Sequence, residues 1–246
     1  WRTSIGSSSD TAAATRSDME EILIRVLELA LFVPAIVLHE VSHGYVSYRL
    51  GDPTAKLAGR LSLNPIKHVD PFGTILLPLL LWFGGGPIFG YAKPVPINPG
   101  YYRDYRKGMM LTGLAGPATN LTLAVFSGLA ARLVVAGGNV LVATASDGVV
   151  TALGWIFYAF YYFAQINLVL MFFNLIPIPP LDGSRVLPLF LSDRALESYH
   201  RVERYGILVF FGAMLLLPNL LNIDLIGGYF SITVLPLLRL LTGVGL

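Results

Sequence analysis

The chain has 246 residues, of which 54% are hydrophobic and only 13% are charged. Soluble domains carry about 25% charged residues, so this composition, with a mean hydropathy of +0.66, indicates a protein that is solvated largely by lipid. The 17 basic and 15 acidic residues give a net charge of +2, which is too balanced for a nucleic-acid-binding protein. The lack of cysteine excludes disulfides, thiolate metal sites and cysteine nucleophiles.

The first residues differ in composition from the rest of the chain. Residues 1–18 are small and polar, without the apolar stretch that a signal peptide requires. We therefore predict that 1–18 form a disordered or non-native leader and that Met19 is a natural start. The remainder, 19–246, is predicted to form a single integral-membrane domain.

Several segments are apolar enough to cross a bilayer, for which a helix needs about 20 mostly apolar residues. They lie at 20–48, 108–136, 150–176, 205–221 and 226–244. The segment 72–98 differs, because its apolar run is short and Pro94, Pro96 and Pro99 exclude a helix in its second half. We predict an all-α polytopic membrane protein with about five transmembrane helices plus a re-entrant hairpin that contains an extended or β segment.

The basic residues predict how the chain is oriented in the membrane. Lysine and arginine are concentrated after the first span, at 99–107 and at 182–205, whereas 137–149 and 218–226 contain neither. Cytoplasmic loops carry an excess of basic residues, so the first three stretches are predicted to face the cytoplasm. This orientation requires 72–98 to enter and leave on the same side. We therefore expect a multi-pass protein of the cell membrane with its N-terminus outside.

A histidine motif lies inside the first predicted span. In the pentapeptide HEVSH, His39 and His43 are four residues apart, which places them one turn apart on one face of a helix. At this spacing two imidazoles can bind one zinc ion, while Glu40 reaches an attacking water as general base. Ionisable groups are costly inside a membrane, which favours a metal site over the alternative, a structural polar cluster.

A catalytic zinc site needs a third protein ligand and an open position. Asp182 is the best candidate, because prolines just before it end the preceding helix and carry it to the depth of the histidines; an ordinary turn at a helix exit is the alternative. Histidines in the basic loops are more simply interpreted as exposed. Of the remaining carboxylates, Glu28 is too distant, Asp224 lies in the predicted outer turn on the wrong side, and Asp70 is explained as a cap. These less favoured candidates are His68, His200, Glu28, Asp70 and Asp224.

Three sequence elements together resemble the site-2 protease family of intramembrane zinc metalloproteases. They are HEVSH, AGPATN at 115–120 and NLIPIPPLDG at 174–183. The stretches GRLSLNPIKHVDPFGTILLP at 59–78 and GYAKPVPINP at 90–99 are similar to compact prokaryotic members. The resemblance implies a catalytic core at about 19–190, without a PDZ or CBS domain.

The resemblance also implies roles for individual residues. His39, His43 and Asp182 would bind one zinc ion per chain, on the cytoplasmic side of the membrane, and Glu40 would be the catalytic acid and base. Asn120 and Asn174 are predicted to contact the substrate, and we suggest that Asn120 binds the scissile peptide or the oxyanion. For these asparagines the alternative is hydrogen bonding between helices.

The resemblance suggests, further, that a membrane-re-entrant β-hairpin contains the proline-rich segment. A protease that unwinds a helical substrate must offer it new hydrogen-bond partners, and an extended segment can do so by pairing as an added strand. A packed lid over the cavity is an equally good alternative. The residues predicted to pair are Ala92, Lys93, Pro94, Val95, Pro96, Ile97 and Asn98.

The function implied by the resemblance is that of an intramembrane zinc endopeptidase. It would hydrolyse peptide bonds within or near transmembrane segments of membrane-protein substrates, in regulated intramembrane proteolysis or in the clearance of membrane-anchored remnants. Its partners would be those substrates and the lipid bilayer, with no nucleic acid and no nucleotide. The alternatives are a non-catalytic zinc-holding membrane protein that binds transmembrane segments and, with less support, an ion transporter.

Overall fold

The computed structural model describes residues 8–76, 79–80, 83, 92–141, 144–203, 205–206, 210, 212 and 224–244. Within these ranges the chain is helical apart from turns and short connections, and no β-strand is present. The α-helices are α1 (Ser8–Arg49), α2 (Thr54–Leu57), α3 (Tyr105–Leu141), α4 (Asp147–Asn174), α5 (Asp193–Glu203) and α6 (Leu225–Thr242). Tighter or wider helical turns cover Pro65–His68, Pro71–Leu76, Pro99–Tyr101 and Asp182–Leu189.

In the part of the chain that the structure describes, four stretches of helix are long and apolar enough to cross a membrane. They are Met19–Arg49 in α1, Tyr105–Gly138 in α3, Asp147–Asn174 and Leu225–Thr242. These stretches agree with four of the five predicted spans, and the fifth, 205–221, lies mostly outside the described residues. Large apolar side chains such as Phe126 and Ile232 are exposed on the helices, as expected of surfaces that face lipid.

The helix α1 begins earlier than predicted. It starts at Ser8 and continues without interruption into the first span, whereas the sequence led us to expect a disordered or non-native leader over 1–18, which stays a prediction. This stretch contains three consecutive alanines, Ala12–Ala14, and alanine has the highest helix propensity. An existing apolar helix can therefore be extended through it at little cost, because elongation is far easier than nucleation.

The central element is α3, which packs against α1, α4, α6 and the turn Asp182–Leu189. Small residues allow this close packing: Ala124 of α3 and Ala164 of α4 are fully buried in one cluster with Leu168 and Leu238. Because α3 contacts both the first span and the turn that carries Asp182, it brings together parts of the chain that are far apart in sequence.

Two parts of the connection between α1 and α3 that are far apart in sequence lie next to each other. Residues 92–98 form neither helix nor strand, as the prolines require, and the Lys93 N–H donates to the His68 carbonyl over 2.9 Å. The two ends of the intervening 69–92 therefore meet. Much of the predicted hairpin, including 84–91, lies outside the described residues, and a β-hairpin is not formed by the part that is described.

Candidate metal centre

Three buried side chains from two distant parts of the chain meet at one point. His39 and His43 project from α1, and their Nε2 atoms are 3.0 Å apart. The Oδ2 atom of Asp182 lies 3.0 Å from each of these nitrogens. Among the described residues this is the one group of three histidine or acidic side chains close enough to hold a metal ion.

The outer nitrogen of each imidazole faces an acceptor. The Nδ1 atom of His43 lies 2.7 Å from the Thr112 carbonyl oxygen of α3, and the Nδ1 atom of His39 contacts the Oδ1 atom of Asn120. A carbonyl oxygen can only accept, so both Nδ1 atoms carry the proton. The Nε2 atoms of His39 and His43 therefore direct lone pairs toward Asp182.

The orientation of the Asn120 amide is set by a second asparagine. Asn120 donates from Nδ2 to the Oδ1 atom of Asn167 over 2.7 Å, and Asn167 donates in turn to the Phe163 carbonyl over 2.8 Å. Because this series ends on a backbone acceptor, the Oδ1 atom of Asn120 must face His39. Both asparagines are fully buried between helices.

The donor set fits a metal cation. Two imidazole lone pairs and a carboxylate oxygen repel one another at 3.0 Å unless a positive charge lies between them. Zinc is bound by histidine nitrogen and carboxylate oxygen at about 2.0–2.2 Å, and atoms at this separation can contact one ion together. Outer partners such as Asn120 and the Thr112 carbonyl are those that commonly orient metal-bound histidines.

A glycine of α3 makes room for the two imidazoles. A Cβ atom at Gly116 would lie 2.5 Å from the Nε2 atom of His43 and would also collide with the His39 ring. Real Cβ atoms essentially never approach so closely, so no other residue fits here without displacing the imidazoles. This accounts for the glycine in the AGPATN element.

The predicted contact between Asn120 and a substrate stays a prediction, and the contacts of this side chain favour another role. Asn120 is fully buried, and its amide oxygen and nitrogen are engaged by His39 and Asn167 respectively. It lies behind His39 and does not line the cavity described below. Asn120 is instead placed to orient the His39 imidazole through Oδ1. Its Nδ2 makes the hydrogen bond between helices that was the alternative interpretation.

A cavity of about 140 Å³ lies beside the three side chains. Asn174 lines it, as its predicted substrate contact requires, and donates from Nδ2 to the Leu170 carbonyl over 2.9 Å. The lining residues are His39, Glu40, His43, Pro94, Val95, Ile97, Asn174, Pro180, Asp182 and Arg185. The HEVSH motif, the turn at Asp182 and the segment 92–98 are thus brought to one site.

Glu40 is half-buried at this cavity and contacts the proline-rich segment. Its Oε2 atom accepts a hydrogen bond from the Val95 backbone N–H over 3.0 Å. Two further contacts hold Lys93 of this segment: its N–H bonds the His68 carbonyl, and its carbonyl accepts from Arg60 over 2.5 Å. The segment 92–98 is therefore fixed beside the carboxylate that the motif identified.

Arg185 is a residue of the site that the sequence did not single out. Its Nη1 atom lies 3.4 Å from the Oδ1 atom of Asp182, and it lines the cavity. The two oxygens of Asp182 thus have different partners, one the arginine and the other the imidazoles. From the sequence, Arg185 was only one of the basic residues that predicted the orientation in the membrane. Its position three residues after Asp182 in a tight turn could have indicated the contact.

The less favoured ligand candidates lie elsewhere. His68 was expected to be exposed but is buried, with Nε2 2.7 Å from the Ser62 carbonyl, while His200 contacts the Tyr105 hydroxyl. Glu28 accepts from the Tyr158 hydroxyl over 3.0 Å. Asp70 and Asp224 each accept backbone N–H bonds at the start of a helical turn or helix, as expected of caps.

Comparison with known proteins identifies the family. The model of peptidase family M50 matches residues 27–217, a range that includes all three candidate ligands. The chain belongs to peptidase family M50. The predicted membership of the site-2 protease family is thereby confirmed.

Curated relatives of the chain are named for the same metal. The chain is 40% identical over 189 residues, 76% of its length and 79% of the relative's, to the Bacillus subtilis (strain 168) protein named "Putative zinc metalloprotease YwhC". It is 28% identical over 198 residues, 80% and 70% of the two chains, to "Putative zinc metalloprotease Rip2" of Mycolicibacterium smegmatis. The Mycobacterium tuberculosis (H37Rv) protein of that name is 29% identical over 196 residues, 79% and 68% of the two chains. No solved structure matches the chain significantly.

Zinc is therefore the cofactor of this M50 protein, as predicted. The family and the four apolar helices together identify a multi-pass membrane zinc metalloprotease.

Proposed function

We propose that the protein is an intramembrane zinc endopeptidase that hydrolyses peptide bonds within or near transmembrane segments of membrane-protein substrates, in regulated proteolysis or in the clearance of membrane-anchored remnants. The observation that carries this proposal is the convergence of His39, His43 and Asp182 beside a cavity lined by Glu40. When bound by these three ligands, zinc supplies the Lewis acidity that activates water and polarises a carbonyl.

Glu40 is the proposed general base. It lines the same cavity as the three ligands, so its carboxylate can take a proton from the attacking water and pass it to the leaving amine. The N–H of Val95 bonds one carboxylate oxygen, Oε2, and leaves the other for the water. The Val95 N–H thus orients the Glu40 carboxylate through one oxygen, while the second oxygen can still accept a hydrogen bond.

The number of ligands favours catalysis over a structural metal site. Structural zinc sites are closed by four protein ligands, whereas catalytic sites have three and keep one position open. In the part of the chain that the structure describes, the group consists of His39, His43 and Asp182 alone. This supports the peptidase over a non-catalytic protein that only holds zinc.

Arg185 and Asn174 are the proposed contacts for the substrate carbonyl. Both line the cavity, and Arg185 brings a positive charge to the side of Asp182 that faces away from the imidazoles. Negative charge that develops on the carbonyl oxygen during attack is stabilised by donors already in place. We assign Arg185 this role in place of Asn120, whose amide is engaged elsewhere.

The segment 92–98 is the proposed docking site for the unwound substrate, and it offers mainly acceptors. The N–H groups of Lys93, Val95 and Asn98 are donated to the protein, and Pro94 and Pro96 have none. The carbonyls of Lys93 and Asn98 are already bonded by Arg60 and the Tyr101 N–H, so the other five carbonyls of the segment, with the N–H groups of Ala92 and Ile97, are the groups that remain for a substrate. A paired substrate would bind chiefly by donating its own N–H groups.

Contacts between loops support a single cytoplasmic face. Arg60, in the basic stretch after α1, bonds the Lys93 carbonyl. Arg106, at the start of α3, bonds Asp193 over 2.6 Å, which joins the basic stretches 99–107 and 182–205. The contact between His68 and Lys93 returns 69–92 to the end at which it began. We propose that this end, with the metal centre, faces the cytoplasm and that 72–98 is re-entrant, with the N-terminus outside.

The decisive experiment is cleavage of a single-span substrate by the purified protein in liposomes. Glu40→Gln should abolish cleavage and leave one zinc per chain, because it removes the base but none of the ligands. The control is Glu197→Gln, which changes an exposed glutamate of α5 and should cleave like the wild type. Cleavage by the Glu40→Gln protein at the wild-type rate would refute the proposal.

A further inference from the structure

Asp52 is a buried carboxylate just after α1 that is held by neutral donors. It is fully buried, and its Oδ1 atom accepts from the N–H and hydroxyl of Thr54 over 2.9 and 2.5 Å. Its Oδ2 atom accepts from the Ser47 hydroxyl over 2.8 Å and from the Asn98 N–H over 2.7 Å. Burial alone would raise the pKa of Asp52, but the hydrogen bonds from Asn98, Thr54 and Ser47 outweigh it and hold the pKa below its ordinary value.

The Ser47 hydroxyl connects Asp52 to a candidate zinc ligand. It also bonds the Tyr102 hydroxyl over 2.8 Å, and this hydroxyl lies 3.0 Å from the Oγ1 atom of Thr112. The carbonyl of the same threonine faces His43 Nδ1 over 2.7 Å. Every side chain in this series is buried, so water does not compete for these bonds. Together Asp52, Ser47, Tyr102 and Thr112 form what we call the Asp52 network.

The position of the Tyr102 ring is itself fixed by α3. A Cβ atom at Gly108 would lie 2.6 Å from Tyr102 Cγ, so the ring packs directly against the helix backbone. The hydroxyl therefore cannot swing away from Thr112 without the ring leaving this contact.

The Asn98 N–H connects the same Asp52 oxygen to the cavity. Asn98 ends the segment 92–98, which contacts Glu40 through the Val95 N–H. The Oδ2 atom of Asp52 thus accepts from two branches. One branch ends on the imidazole of His43, and the other ends on the carboxylate of Glu40.

We propose that Asp52 is a positioning residue for the reaction: it orients His43 through Ser47, Tyr102 and Thr112, and it holds the segment that contacts Glu40 through Asn98. This inference rests on the proposed function for its effect on cleavage. The simpler alternative is that Asp52 only stabilises the turn before the short helix α2, by accepting from Thr54. In that case changes elsewhere in the network would alter stability but neither zinc affinity nor substrate binding.

Two variants separate these alternatives in the full-length protein. Tyr102→Phe removes one hydroxyl and keeps the ring against Gly108, so the fold is preserved while the branch to His43 is broken. We expect zinc affinity to fall about threefold to tenfold, somewhat less than the tenfold to hundredfold typical of a direct partner of a metal ligand, with KM unchanged. Asp52→Asn removes the charge and leaves one acceptor oxygen for donors on both sides of the carboxylate, so it weakens both branches and should reduce zinc affinity similarly and also raise KM severalfold.

The control is Asp104→Asn, which alters an exposed carboxylate that accepts from the Lys107 N–H over 3.1 Å. It should match the wild type in zinc affinity and KM. Zinc affinity is measured by chelator competition without substrate, so it remains informative even if no cleavage is found and the proposed function fails. Wild-type zinc affinity in the Tyr102→Phe protein would overturn the proposal, even if Asp52→Asn fails to fold.

Discussion

The backbone N–H of Val95 donates to the Oε2 atom of Glu40 over 3.0 Å. The segment 92–98 therefore bonds the proposed catalytic base directly, and it does so from a position lining the cavity. A substrate that docks on this segment would be placed within reach of the same carboxylate. Under the proposed function, binding and proton transfer would thus both depend on one short piece of extended chain.

Removing this single N–H should slow the chemical step. If Val95 is replaced by its α-hydroxy acid, the side chain is kept and the donor to Glu40 is lost. Hydrogen bonds to charged groups contribute about 1.5–3 kcal/mol, so we expect kcat to fall roughly tenfold or more with zinc content unchanged. The same replacement at Ile97 is the control and should change kcat less than twofold; equal losses at both positions would contradict the prediction.

Asn120 and Asn174 should differ in what they affect. Asn120→Ala removes the acceptor that orients His39 and should weaken zinc binding tenfold to hundredfold, with cleavage largely recovered at saturating zinc. Asn174→Ala should reduce cleavage with little change in zinc affinity, because Asn174 lines the cavity without contacting an imidazole. Cleavage by the Asn120→Ala protein that stays low at saturating zinc would instead support the oxyanion role first expected from the sequence.

A methyl group at Gly116 should displace the imidazoles. Gly116→Ala places a carbon 2.5 Å from His43 Nε2, so zinc should be lost or bound at least tenfold more weakly. The matched control is Gly154→Ala in α4, where an added Cβ meets nothing within 4 Å and alanine is the better helix former by about 1 kcal/mol. Metal content after gel filtration tests both variants. Full zinc occupancy of the Gly116→Ala protein would show that the imidazoles can move aside without losing the metal.

Arg185 should contribute through its charge and its planar shape. Arg185→Met removes the cation beside Asp182 and should lower kcat at least tenfold, because losing a partner of a metal ligand costs about tenfold to hundredfold and losing an oxyanion donor costs about hundredfold to thousandfold. Arg185→Lys should restore only part of this activity, because an ammonium cannot reproduce the guanidinium fork. The measurement is kcat with zinc occupancy determined on the same samples. Wild-type kcat in Arg185→Met would remove Arg185 from the site.

The acceptor-rich segment predicts a pattern in the substrate. Amide-to-ester replacement removes one N–H donor at a time from a synthetic transmembrane substrate, and N–H groups of alternate residues point the same way along an extended chain. We expect kcat/KM to fall at alternate positions next to the scissile bond and to change little at those between. A uniform response along the substrate would argue that 92–98 is a lid, the other interpretation of this segment.

Local features of the site could be read from the sequence. The four-residue spacing of His39 and His43 is sufficient to place both imidazoles on one helix face, and apolar runs of sufficient length predict the spans. Asp182 was a sound candidate because prolines determine the path of the chain before it. The start of α1 was not predicted, since the polarity of 8–18 says little about whether an existing helix continues.

The surroundings of the metal centre were decided by tertiary structure. His39 meets Asn120 across 81 residues and Asp182 across 143, and no spacing rule reaches so far. The sequence alone could therefore propose Asn120 as a substrate contact and count Arg185 only as a loop charge. The packing of α3 against α1 and against the turn Asp182–Leu189 brought Asn120 to His39 and Arg185 to Asp182. Buried polar groups are almost always hydrogen-bonded, so the partner of Asn120 is whichever polar group the packing places opposite it.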